Sequence, residues 1–138
     1  MKTLIFLIFI PMVLFTGCKG SAYEITAKSD LKKYSMVMSS HPGLPISFKV
    51  SGDVYDSVEV TVDKGTILLW NDRSGAVSEH GDKLSFDKKE DKLYWSPGEK
   101  LEEDAVLYII VYKDGKKAAE KKYVIEYTGD NMFSFIGD

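Results

Sequence analysis

Ala105-Val106-Leu107-Tyr108-Ile109-Ile110-Val111-Tyr112, followed by Lys113-Asp114-Gly115-Lys116, decides the fold. Branched and flat side chains of this kind fit a pleated surface better than a helix. Leu107, Ile109 and Val111 fall on one face, and Val106, Tyr108, Ile110 and Tyr112 on the other. Apolarity on both faces marks a central strand covered on both sides, or one completing a shared groove. Asp114-Gly115 is a type I′ turn signal, because both central residues of that turn take positive φ. The chain then returns through Tyr123, Ile125 and Tyr127. Tyr123 and Tyr127 are expected across the hairpin from Tyr108 and Tyr112, as aromatic pairs that serve either the sheet or recognition.

The same period-2 signal extends towards the N-terminus. Ile46, Phe48 and Val50 alternate with Ser47, Lys49 and Ser51, and Val58, Val60 and Val62 with Ser57, Glu59 and Thr61. Asp63-Lys64-Gly65 reads as a hairpin turn into Thr66-Ile67-Leu68-Leu69-Trp70. Asn71 to Gly75 is a further turn cluster, Leu84 and Phe86 a short strand, and Leu93-Tyr94-Trp95 another, ended by Ser96-Pro97-Gly98. Ser39 to Pro45 must be a turn, since two prolines and a glycine forbid regular pairing. The tail Met132 to Ile136 either adds an edge strand or docks on a partner. About seven strands with frequent turns and no helical period predict an all-β sandwich in one domain.

In strand count and rhythm, residues 46 to 127 resemble bacterial immunoglobulin-like domains, with the last two strands as a long hairpin. The resemblance implies an immunoglobulin-like β-sandwich with a core tryptophan, either Trp70 or Trp95. Thr66 to Trp70, Ser74-Gly75, Gly81 and Tyr94-Trp95-Ser96-Pro97 also resemble small extracytoplasmic modules of Gram-positive envelope proteins, including tails of some membrane-embedded sensor peptidases. That likeness implies an accessory or sensing module with no catalytic residues.

The N-terminus is an address. Met1-Lys2 is basic, residues 4 to 15 are apolar except for Pro11, and small residues precede the only cysteine. That order is a secretory signal. The apolar run falls short of the ~20 residues that span a ~30 Å hydrocarbon core. Thr16-Gly17-Cys18 resembles the lipobox of bacterial lipoproteins, with Phe15 where leucine is usual. The resemblance implies cleavage before Cys18 and acylation of its thiol, by palmitate-type chains among others. Residues 1–17 are thus expected as a signal peptide, 18–33 as a lipidated tether, with room for a short first strand at Tyr23 to Ala27, and 34–138 as the sandwich. A buried methylene contributes ~0.8 kcal/mol, and two or more chains hold a protein stably on a membrane. The expected location is the extracytoplasmic face of the cell membrane.

Composition narrows the partners. Removing 17 residues from 138 leaves 121, and losing Lys2 takes the net charge from −3 to −4. Neither sign dominates, so no nucleic-acid partner is expected. Arg73 is the lone arginine, which speaks against a built phosphate site or, the preferred reading, reflects AT-rich coding DNA.

Candidate chemistry is sparse. Ser39 or Ser40 with His41 or His80 has no Gly-x-Ser-x-Gly elbow, and both histidines are expected in loops. Glu90-Asp91 and Glu102-Glu103-Asp104 lie beside lysines and read as a solvated face, not a shielded acid pair. Met36, Met38 and His41 offer soft ligands for copper(I), or Met36 and Met38 are simply core. Asp53, Asp56, Asn71 and Asp72 lack a calcium-loop pattern and read as turn residues. No catalytic residue, cofactor or metal is therefore expected. The expected function is a non-catalytic envelope lipoprotein that binds or supports another envelope protein. The alternative is ligand or metal sensing by the loop around His41.

Overall fold

The structure, a computed structural model, describes residues 22–37, 41–71, 73–86, 92–98 and 100–138. Ten strands form in chain order: β1 (Tyr23–Lys28), β2 (Leu44–Gly52), β3 (Ser57–Val62), β4 (Thr66–Asn71), β5 (Ala76–Gly81), β6 (Lys83–Phe86), β7 (Lys92–Ser96), β8 (Ala105–Lys113), β9 (Lys116–Gly129) and β10 (Met132–Ile136). They make two antiparallel five-stranded sheets, ordered β1-β2-β7-β4-β5 and β10-β9-β8-β3-β6, with one apolar core that draws on both. This is a β-sandwich arrangement. Among the described residues no helix is long and apolar enough to cross a membrane.

Alternation explains which side chains enter the core. Val58, Val60 and Val62 of β3 point inward, as do Leu107, Ile109 and Val111 of β8. β8 is the central strand of its sheet, and Ile110 on its outer face is also buried. Asp114 and Gly115 both take positive φ, 54° and 76°, as the type I′ turn requires. The layers meet through aromatic contacts: Trp95 of β7 stands edge-on to Phe133 of β10 at 5.0 Å, and Phe48 of β2 to Phe86 of β6 at 5.6 Å. Trp95 is therefore the core tryptophan, fully buried, while Trp70 is half-buried.

The first strand read within the tether span forms: β1 is a sheet strand with Ile25 and Ala27 buried. Other expectations change. β5 gave no sequence signal and is exposed along nearly its whole length. Asp63-Lys64-Gly65 does not close a hairpin. β3 pairs with β6 and β8, and β4 with β5 and β7, so this turn carries the chain from one sheet to the other. The tail forms β10, the edge strand beside β9, bridged at Phe133 by Tyr34.

The outer edge of β1 is closed by the far end of the chain. Ala27 N–H donates to Asp138 Oδ2 at 3.1 Å, and Asp138 N–H donates to the Ala27 carbonyl at 3.0 Å. Lys121 Nζ and the Tyr123 hydroxyl each reach Asp138 at 2.7 Å. Lys121 and then Tyr123 hold the Asp138 carboxyl below its ordinary range, while burial and then Asp138 push the Tyr123 phenol up. A carboxylate with a lowered folded pKa stabilises the fold above its ordinary value of 3.8, and that contribution vanishes as pH falls through the lowered one. Asp138→Asn should thus be less stable than wild type at neutral pH, with the gap closing in strong acid, as read by urea midpoints. Tyr123→Phe should lose about 1 kcal/mol, the net worth of one hydrogen bond.

Candidate functional site

A cleft of about 690 Å³ lies beside β2, inside the 300–1,000 Å³ range of ligand sites. β2 pairs with β1 through Ser47–Gly52 and, among the described residues, with β7 at Leu44, Pro45 and Ile46. β7 also pairs with β4, where Lys92 lies opposite Trp70.

The register shows where the main chain of β2 points. Ala27 spends both its N–H and its carbonyl on Asp138, and the Ile25 carbonyl accepts Lys121 Nζ and the Tyr123 hydroxyl. Neither residue therefore bonds to β2 on those groups. Ala27 lies opposite Phe48, and Ile25 opposite Val50. Antiparallel ladders alternate bonded with non-bonded pairs, so Phe48 and Val50 turn their N–H and C=O groups away from β1, towards the β7 side of the sheet. Ser47, Lys49 and Ser51 bond to β1 instead.

Side chains divide the cleft into two walls. Phe48, Val50, Phe86, Leu93 and Tyr55 supply an apolar side, and Tyr55 is held by an edge contact to Tyr23 at 6.3 Å. Lys49, Lys92 and Asp30 also line it. His41 lines the cleft too, its ring 6.3 Å from that of Tyr94, which is buried against the sheet. This combination of an apolar wall with charged and aromatic side chains suits binding.

The other candidates disperse. His80 is on β5, an exposed edge strand opposite Leu68, not in a loop and not beside His41. Asp104 caps a strand, its Oδ1 accepting Tyr127 N–H at 2.8 Å, and Glu102 and Glu103 are exposed. Asp56 accepts Asp114 N–H at 2.6 Å, joining two turns, and Asp53 is exposed. Asn71 Oδ1 accepts Ser74 N–H at 3.0 Å, as turn chemistry predicts. Met36 is 49% exposed, so it does not fill the core. Cys18, Met38, Ser39, Ser40, Asp72, Glu90 and Asp91 lie outside the described residues. Among the described residues no three His, Cys, Asp or Glu side chains gather to hold a metal ion.

Tyr108 and Tyr112 do not meet Tyr123 and Tyr127. Tyr108 faces Lys122 and Tyr112 faces Lys117, while Tyr123 lies opposite Leu107 and is buried. The tyrosine face expected for recognition is thus split between the outside and the core. Phe48 and Val50 were legible as strand residues, but nothing local says that they line a cleft.

No protein-family model matches this chain, and no curated protein or solved structure matches it either.

Proposed function

We propose that this chain is a membrane-anchored lipoprotein of the bacterial cell envelope whose immunoglobulin-like domain, without catalysis of its own, binds another envelope protein. The observation that supports the reading is the cleft beside β2, where apolar side chains, lysines and the rings of Tyr55 and Tyr94 share one opening. Acylated Cys18 tethers the domain to membrane lipid on the extracytoplasmic face, and a short segment leads from it to β1.

Two experiments test this. Cys18→Ser should move the protein from the membrane fraction to the soluble one and leave its signal uncleaved by the lipoprotein peptidase; normal processing with retained membrane fractionation would refute the anchor. A photo-crosslinking residue at Tyr55 should capture a defined envelope protein from the anchored chain. The same residue at His80, on the far edge of the sheet, should not. Equal capture at both positions, or at neither, removes the cleft from the reading.

A small ligand bound at the His41 end is the second reading, favoured by the place of His41 on the cleft wall beside Tyr94. Chemical-shift changes confined to His41 and Tyr94 on adding a small envelope metabolite would select it.

A further inference from the structure

We propose that the outer face of the β10-β9-β8-β3-β6 sheet is a dimer interface, on which a second copy of this chain packs face to face about a twofold axis. The inference goes beyond the envelope-binding reading and stands apart from it, because the face belongs to the sheet opposite β2.

The first observation is the composition of β8. An antiparallel sheet with one solvated face alternates apolar residues inward with polar residues outward. The middle of β3 and of β9 follows that rule, with Glu59, Thr61, Glu120 and Lys122 outward. β8 breaks it. Leu107, Ile109 and Val111 enter the core, yet Val106, Tyr108, Ile110 and Tyr112 make up its outer side. Val106 continues across the sheet through Val124 to Ile136, which is 49% exposed. The central strand thus carries an apolar ridge on the side turned away from the second sheet.

The charges beside the ridge say what covers it. Residues directly opposite one another in a sheet share a face. Lys122, Tyr108, Thr61 and Lys83 form one cross-strand row, basic at both ends. The next row, two residues along, is Glu120, Ile110, Glu59 and Ser85, and it is acidic. A twofold axis parallel to these rows and midway between them lays each row on the other. Lys122 then meets the second copy's Glu120, Tyr108 its Ile110, Thr61 its Glu59, and Val106 its Tyr112. Every contact occurs twice, as an isologous interface requires. The strands of the two copies run antiparallel, which suits the aligned packing of sheets face to face.

The carboxylates have room for these contacts. Glu59 Oε1 accepts the Tyr112 hydroxyl at 3.3 Å, and Glu120 Oε1 accepts Lys117 Nζ at 2.7 Å, within the same chain. Each carboxylate has a second oxygen for the other copy. Among the described residues Lys122 and Lys83 have no ion-pair partner.

The test is sedimentation equilibrium of the processed chain in density-matched neutral detergent. A concentration-dependent dimer is expected. Lys122→Glu and Glu120→Lys each place like charges across the axis, and each should weaken the dimer about tenfold or more. Both residues are exposed, so unfolding midpoints should stay near that of wild type. An equimolar mixture of the two variants should recover the wild-type affinity, because every 120–122 pair in the heterodimer is again opposite in charge. A monomer at all concentrations overturns the inference. So does a dimer indifferent to either substitution, which would place the contact elsewhere. Weakening by both variants without recovery in the mixture overturns the twofold arrangement. Capture of an envelope protein by the crosslinker at Tyr55 is read separately, since it tests the cleft and not this face.

Discussion

Trp95→Ala is expected to be the most damaging single substitution in the domain, lowering stability by about 4 kcal/mol in a denaturant titration. Trp95 is 0% exposed and sits where both layers converge. It pairs with Leu44 of β2 on one side and Ile67 of β4 on the other, and its ring meets Phe133 from the opposite sheet. Its indole N–H donates to the Lys64 carbonyl at 2.9 Å, tying the β3–β4 crossing to the core. Alanine leaves a cavity and deprives that carbonyl of its donor. Trp95→Phe separates the two effects, because it keeps a ring but not the donor. It should lose about half as much. A loss below about 1 kcal/mol for alanine would mean that Trp95 is not a core residue.

Gly65→Ala should cost about 3 kcal/mol, although it adds a single methyl group to a turn. Gly65 has φ +81°, where a side chain is strained, and a Cβ there would come within 2.6 Å of the Ser96 carbonyl oxygen and of Trp95 Nε1. Backbone and a packed indole cannot both withdraw, and the hydrogen bond from Trp95 to the neighbouring Lys64 would be disturbed. Gly75→Ala is the control. Gly75 also has positive φ, +69°, but a Cβ would meet nothing within 4 Å. Its cost should be the conformational strain alone, about 1 kcal/mol. Equal losses at the two glycines would show that crowding at the crossing does not matter.

How much of this was legible from residues depends on whether the signal is local. The β8–β9 hairpin was readable because apolar alternation and Asp114-Gly115 specify it without help from elsewhere. Its register was not. An unbroken hairpin from Lys113 and Lys116 would put Tyr123 opposite Val106, on the same face as Tyr108 and Tyr112. The bulge at Val111/Tyr112 shifts the register by one residue, so Tyr123 lies opposite Leu107 and turns inward. A one-residue slip exchanges the two faces of a strand. Asp63-Lys64-Gly65 misled for a related reason: a glycine turn reverses or redirects the chain, and only the partners of β3 and β4 show that it crosses between sheets. β5 has little apolar content to reveal it, since neither of its faces enters the core.

The cleft belongs to the same class of feature. Ile46, Phe48 and Val50 read as one continuous inward face, and they are one. What makes a site of them is the cleft they line with Tyr55, Phe86 and Leu93, beside a β1 whose outward groups are taken by Asp138, Lys121 and Tyr123. Among the candidate carboxylates, Asp56 and Asp104 are spent on joining turns and capping a strand.

Hydrogen exchange along β2 in the unliganded protein tests the cleft most directly. The amides of Ser47, Lys49 and Ser51, bonded to β1, and of Ile46, paired with Leu93, should exchange slowly. Those of Phe48 and Val50, which point away from β1, should exchange quickly if this part of the cleft is open to a partner, giving a fast–slow alternation within one strand. Slow exchange at Phe48 and Val50, matching their neighbours, would show that the chain itself covers them and contradict the site.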